Sequence, residues 1–415
     1  MGGSIKPKPV LSADRAPTFL PDGRTIIFGR RDNYSNQMTD LHGSVRPYAT
    51  GIFVWSPGGR HRANYETPDP TGHPYDHVLV ITDPSGGNRH DLGAGYEPTW
   101  SRDASRLVYL RDDAIYVADG DGANAHQINF DLHANVSCGP PCSATYDRPI
   151  VSPSGRSVAF LATFVGDSPE PPRNLPASLF VVATDGGTAA QLSDEDICPP
   201  DSDVQWAPDD KWLAYIANPC DEIYGYDLAV VDAAGANGLY VKAVGGFSWS
   251  PRRNVLAYTT GKGVSFATPT RKLRTLSGYS TYANPTWSPR GDHIAVARRG
   301  GVYVAPLTGR PTRIASGSAP SWSPTGNTIA YAVSSCGARQ GIHLVRPDGR
   351  GDRRLTAICE IDAAGAAPIR GTAFADEIWA IDRTTQRISC GTGNDIVHAN
   401  VRDVVAADCE QVLTR

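Results

Sequence analysis

Three groupings in the chain have residue types and spacing that could do chemistry. His73-Pro74-Tyr75-Asp76-His77 places two histidines and a carboxylate in one short stretch. Histidines four apart share a face only on a helix, and Pro74 breaks a helix, so the stretch reads as a polar loop rather than a metal centre. The second grouping is acidic. Residues 193–203 carry Asp194, Glu195, Asp196, Asp201 and Asp203 without a base, and Asp221, Glu222 and Asp227 follow one connection later. Such a loop suits a cation or a basic protein or peptide, and equally a solvated surface that aids solubility.

The third grouping is eight cysteines in neighbouring couples: Cys138 with Cys142, Cys198 with Cys220, Cys336 with Cys359, and Cys390 with Cys409. No paired C-x2-C units and no interleaved histidines complete a zinc site. Four local disulfides are therefore expected, and with them an extracellular or periplasmic location, buried free thiols being the alternative. The opening Met1-Gly2-Gly3-Ser4-Ile5-Lys6-Pro7-Lys8-Pro9 has no apolar core of the kind a signal peptide carries, so none is expected within these residues.

Enzyme signatures are missing. The sequence has no H-E-x-x-H, no Walker loop, no dinucleotide fingerprint and no G-x-S-x-G nucleophile elbow. A net charge of −4 gives no basic field for nucleic acid, and no long apolar run predicts membrane insertion. A monomer is expected.

The elements that must position any site come from a repeat. With 415 residues the chain is too long for one core, and 42 glycines with 33 prolines suit a turn-rich, all-β array. A unit Pro-x-Trp-Ser-Pro-x-Gly followed by a short apolar strand returns along it. Its clearest copies run from Pro285 to Gly291 before Ile294-Ala295-Val296, and from Pro320 to Gly326 before Ile329-Ala330-Tyr331. Looser copies centre on Phe19, Trp100, Val151, Trp206 and Trp249, and a weaker one on Trp55. Ser-Pro-x-Gly turns the chain, with proline setting the first corner and glycine the last. Three more strands complete each unit, as in Leu107–Leu110, Ala114–Ala118 and Ala125–Ile128. Four antiparallel strands per unit make a propeller blade. The spacing of slot residues predicts eight blades. Seven is the alternative, because Gly51–Trp55 also reads as a third strand closing the first blade.

These residues resemble the WD-like β-propeller repeats of TolB and its relatives, through Trp-Ser-Pro-Asp/Arg-Gly, then Ile-Ala-Tyr, then Ile-Tyr-Val-x-Asp-x-Asp-Gly. The resemblance covers residues 11–365 and implies the propeller fold; nothing matches the family's separate N-terminal domain. Propeller peptidases resemble the blades too, but the roughly fifty residues after residue 365 cannot hold a hydrolase domain.

Residues 366–415 form a separate tail. Cys390-Gly391-Thr392-Gly393-Asn394-Asp395-Ile396-Val397 resembles the nonapeptide of hemolysin-type (RTX) calcium-binding repeats, with Cys390 in place of the first glycine. Carried over residue by residue, that resemblance makes Asp395, with the Gly391 and Gly393 turns, a weak calcium candidate, and Asp376 a second. The turn between them, with Arg383 and no glycine, offers too few oxygens for a hard cation. A calcium-independent, disulfide-stapled β-coil is expected, and no other cofactor.

Loop lengths place the binding surface. The a–b and c–d turns are tight, whereas the b–c and d–a connections hold long stretches at 131–148, 163–177, 193–203 and 217–226. Long loops on a rigid scaffold carry function. The sequence therefore predicts a non-enzymatic propeller that binds a protein or an envelope polysaccharide through this long-loop face. The alternative is a hydrolase or lyase with an acidic site at the mouth of the central channel.

Overall fold

The computed structural model describes residues 17–29, 36–42, 45–47, 54–66, 78–132, 143–165, 177–193, 197, 203–217, 226–279, 285–333, 341–356, 359–362, 369–370, 376–380, 385–391 and 395–414. Eight antiparallel sheets follow one another along the chain as the blades of a β-propeller. Blade 1 spans residues 18–47, blade 2 54–91, blade 3 96–127, blade 4 143–191, blade 5 204–241, blade 6 244–277, blade 7 286–316 and blade 8 318–354. The Trp55 unit is a blade of its own, with Val54–Trp55 paired to Arg62–Glu66, and that decides for eight over seven. Blade 4 carries a fifth strand, Phe130–Leu132, which runs parallel to Gly187–Gln191.

Each part of the repeat has a physical task. The serine after the slot residue is buried, and its hydroxyl accepts from the backbone N–H that opens the next strand. Arg106 N–H to Ser101 Oγ is 3.0 Å, and Thr328 N–H to Ser323 Oγ is 3.1 Å. A buried hydroxyl needs such a partner. The glycine ends the turn at positive φ, +69° at Gly291 and +74° at Gly326. At Gly291 a side chain would also collide with Ser250 of the blade before it. The second and third strands are apolar on both faces, as in the fully buried Leu107–Leu110 and Ile329–Tyr331, because neighbouring blades cover both.

Three of the slot tryptophans join blade to blade, while Trp100 donates to Gly120 O of its own blade. Trp206 donates its indole N–H to Ile150 O at 2.9 Å, Trp249 to Gln205 O at 3.2 Å, and Trp287 to Ser248 O at 3.0 Å. Each acceptor lies one residue before the slot residue of the preceding blade. The tryptophan thus supplies both sealing area and a bond that fixes the next blade's register.

Contacts divide the chain into two compact units. Residues 51–292 hold blades 2 to 6 and the opening strand of blade 7. Residues 1–50 with 293–415 hold blade 1, the rest of blade 7, blade 8 and the tail. Within the latter unit the last blade meets the first, since Phe19, Ile26 and Phe28 share a buried cluster with Ala330, Ile342 and Leu344.

The tail changes architecture. Its strands Cys359–Asp362, Asp376–Ala380, Ile396–Ala399 and Gln411–Thr414 form one parallel sheet, and Ile369–Arg370, Arg387–Ser389 and Val404–Val405 form another. Ile378, Ile388, Cys390 and Val397 are buried between them. The Cys390–Cys409 disulfide closes this coil. The side chains of Cys138, Cys142, Cys198, Cys220, Cys336 and Cys359 lie outside the described residues.

Candidate functional site

A row of charged residues crosses three consecutive blades of the 51–292 unit. The opening strands of blades 3, 4 and 5 are Tyr96–Trp100, Ser143–Val151 and Val204–Trp206, and they lie side by side. Three residues before each slot residue stand Glu97, Arg148 and Asp203. In blades 6 and 8 the corresponding residues are Gly246 and Ala319. The row therefore departs from the repeat at the end of the strand that receives the d–a connection.

Local backbone geometry aims these side chains. A register irregularity lies between Val108 and Leu110, opposite Glu97, and another between Asp147 and Ile150, at Arg148. Glu97 sits at φ +52° and Arg148 at φ +51°, a region that non-glycine residues seldom occupy. Blades 6 and 8 have register irregularities at the same place, with Ala319 at φ +50°, so the bulge belongs to the repeat and, of these four blades, only the charge of the side chain is particular to blades 3 and 4.

The geometry ties the row together. Arg148 N–H donates to Glu97 Oε2 at 2.7 Å, and Glu97 N–H donates to the Tyr65 hydroxyl at 3.0 Å. Thr99 Oγ1 donates to Pro149 O at 2.8 Å, clamping blade 3 to blade 4 just beyond the row. Asp203 accepts from Gln205 Nε2 at 2.8 Å, and its backbone carbonyl accepts from Ile216 N–H.

Burial dominates the electrostatics. It pushes the Glu97 carboxyl from its ordinary 4.5 up to about 7; the Asp147 charge and a carboxyl–carboxyl hydrogen bond add to the rise, while Arg148 opposes it. Burial likewise raises Asp203, with Gln205 and the Arg148 charge acting the other way. The hydroxyls of Tyr65 and Tyr96 are raised by burial and by neighbouring carboxylates. A carboxyl raised to about 7 beside a second carboxyl and a guanidinium can both donate and accept hydrogen bonds near neutral pH.

Of the residues expected from sequence, Asp203 belongs to this row, half-buried and hydrogen-bonded rather than free on a loop. Asp194, Glu195, Asp196, Asp201, Asp221 and Glu222 lie outside the described residues, as do His73 and His77. Asp227 accepts from the Tyr240 hydroxyl at 2.7 Å and from Ala243 N–H at 3.0 Å, a structural role. The long connections are partly strand, because Ser143–Val151 and Ser157–Val165 extend into them. In the tail, Asp395 is buried, with its N–H donated to Glu410 Oε2 at 2.7 Å. Gly391 N–H donates to Asp408 Oδ2 at 3.0 Å. Gly393 and the Asp376 side chain are outside the described residues, and no described cluster of three ligating side chains could hold a metal.

Sequence reasoning missed Glu97, Asp147 and Arg148. The signal was present: aligning the units on their slot residues puts acid, base and acid at one position of three adjacent blades.

No family model matches the chain, and no curated protein sequence matches it. Solved structures do. Dipeptidyl peptidase 4 of Porphyromonas gingivalis is similar with a TM-score of 0.53 and 13% identity, over 83% of this chain and 59% of that one. The chain thus spans less than two thirds of that peptidase. A eukaryotic initiation factor is similar with a TM-score of 0.51 and 14% identity, over 84% of this chain and 87% of the other. TolB of Acinetobacter baumannii matches with a TM-score of 0.35 and 18% identity, over 79% of this chain and 75% of its own. At such identities the first two likenesses speak to the propeller fold. No described helix is long and apolar enough to cross a membrane.

Proposed function

We propose that the chain is a binding propeller of an oxidising compartment. Its protein or glycan ligand is taken at the long-loop end of blades 3 to 5 and read by Glu97, Asp147, Arg148 and Asp203. The observation that carries this reading is the charged row itself: acid, base and acid stand at one position of three adjacent blades where blades 6 and 8 carry glycine and alanine, beside the long connections that enter blades 4 and 5. The Cys390–Cys409 disulfide supports the compartment.

A second reading has one specific observation in its favour. A carboxyl held near pH 7 beside a second carboxyl is matched to general acid–base work, as a hydrolase or lyase would need. Screening the protein and its Arg148→Ala variant against glycan and peptide arrays tests the first reading. Ligands lost in the variant, released unchanged from the wild type, support binding. Cleaved products in the eluate that vanish in Glu97→Gln support the enzyme. Retention of every ligand by Arg148→Ala rejects the row as the reading surface.

A further inference from the structure

Among the described residues only blade 4 has a fifth strand, and that strand builds a cleft. Phe130–Leu132 is held to the sheet by parallel pairing and by Gly187 N–H donating to Asn129 O at 3.1 Å. It walls a cleft of about 410 Å³ between blades 3 and 4, within the 51–292 unit. That volume lies in the ~300–1,000 Å³ range of small-molecule sites.

The lining has a definite chemical character. Tyr146 and Phe130 meet edge to face with ring centroids 5.4 Å apart, and both contact Phe160 at 5.5 and 5.2 Å. This half-buried aromatic floor cannot shift without disturbing the blade core. Around it stand the exposed amides of Gln127 and Asn129 and the carboxylates of Asp113 and Asp131, with no lysine or arginine. Amides and carboxylates offer paired donors and acceptors at hydroxyl height, while an aromatic face accepts an apolar ring surface. A molecule with hydroxyls on its rim and C–H groups on its face meets both demands.

We infer that this cleft is a subsite for a neutral saccharide, seated on Tyr146 and Phe130 and hydrogen-bonded by Gln127, Asn129, Asp113 and Asp131. The inference rests on the reading that this end of blades 3 to 5 takes a ligand. Tyr146 immediately precedes Asp147 of the charged row, and Tyr96 feels the charges of both Asp113 and Asp147, so cleft and row adjoin. Two lining carboxylates with no base disfavour uronates, phosphosugars and acidic peptides. A peptide added as a strand would find an edge of only three residues, shorter than the ordinary strand.

Isothermal titration calorimetry of the full chain tests the inference. The neutral probes are chitotetraose, cellotetraose and maltotetraose, with tetragalacturonate as the acidic probe and tetralysine as the basic one. At least one neutral tetrasaccharide binds, and tetragalacturonate binds at least about tenfold more weakly. The exposed double variant Gln127→Ala/Asn129→Ala weakens that binding by about tenfold or more with an unchanged melting curve. Tyr146→Leu, which keeps the floor apolar, weakens it as well. Three results overturn the inference: no neutral saccharide binds, its binding survives the double variant, or tetralysine alone binds and is lost in Asp113→Asn/Asp131→Asn. The proposed function fails separately. If a ligand responds to Arg148→Ala but not to the cleft variants, the cleft falls and the charged row stands; if it responds to neither, both fall.

Discussion

The two ends of the blades' opening strands obey different rules. At one end the Trp-Ser-Pro-x-Gly unit returns with recurring bonds: a buried serine closes the turn in blades 3 and 8, and an indole N–H reaches the preceding blade from blades 5, 6 and 7. Three residues upstream the blades diverge, with Glu97, Arg148 and Asp203 in three of them and Gly246 and Ala319 in two others. What packing needs recurs in most blades. The irregular backbone at that place is shared by blades 6 and 8, but the charges that only some blades carry have no packing reason to be there. Function is to be sought where a repeat protein breaks its own repeat.

The sharpest way to break this comparison is to remove a slot tryptophan. Trp206 is buried and bonded to Ile150 O. Trp206→Ala should cost roughly 3–5 kcal/mol, whereas Trp206→Phe keeps most of the area, loses the bond, and should cost about 1 kcal/mol. Denaturant unfolding checks both. Equal losses would mean that the bond contributes nothing, and that the repeat is about area alone.

The tail extends the contrast, since its parallel rungs are closed covalently by Cys390–Cys409. Removing the bond by Cys390→Ser/Cys409→Ser should cost about 3 kcal/mol, as for loops of this size, and more where Cys390 was buried. Hydrogen exchange should locate the loss in residues 376–414 and leave the blades protected. Equal deprotection of the blades would show that the coil is part of their cooperative unit.

At the variable end, the expected effect is a pH slope. The Glu97 carboxyl is raised in the folded state from 4.5 to about 7, so the fold binds more protons than the unfolded chain between those values. Its stabilising contribution is complete below pH 4.5 and is lost as the pH rises through about 7. Melting temperature should therefore decline across that window, and Glu97→Gln should flatten the decline. A slope unchanged in the variant would place the titration elsewhere.

Much of the blade architecture was legible in the sequence because Trp-Ser-Pro-x-Gly couples a local turn to a long-range contact in adjacent residues. Blade 2 was harder to read, since Arg62–Glu66 pairs as a strand despite a composition poor for one. The charged row was illegible residue by residue. Glu97 and Arg148 are unremarkable in isolation, and a bulge that turns a side chain leaves no mark in hydrophobic alternation. The fifth strand of blade 4 was hidden for a similar reason: Phe130-Asp131-Leu132 is too short to show a period.

The smallest effect tests how strictly the turn end is conserved as physics rather than as letters. Ala104 and Asp210 occupy the glycine place of the turn in blades 3 and 5, yet hold its conformation, at φ +58° and +61°. An L-residue in that region costs about 1–2 kcal/mol, and glycine there costs about 0.4–1 kcal/mol more in unfolded-chain entropy. Ala104 accordingly stands to gain from glycine, by about 0.5 kcal/mol, because its side chain makes no bond. Asp210 differs: its carboxylate accepts from Ser154 N–H of blade 4 at 3.1 Å, a link between blades worth about as much as the strain it offsets. Ala104→Gly should therefore raise stability slightly and Asp210→Gly should leave it unchanged or lower it, measured as paired denaturation midpoints. If both variants gain equally, the aspartate is a tolerated flaw and not a substitute staple, and the turn end of blade 5 would have to be counted among the places where the repeat merely drifted.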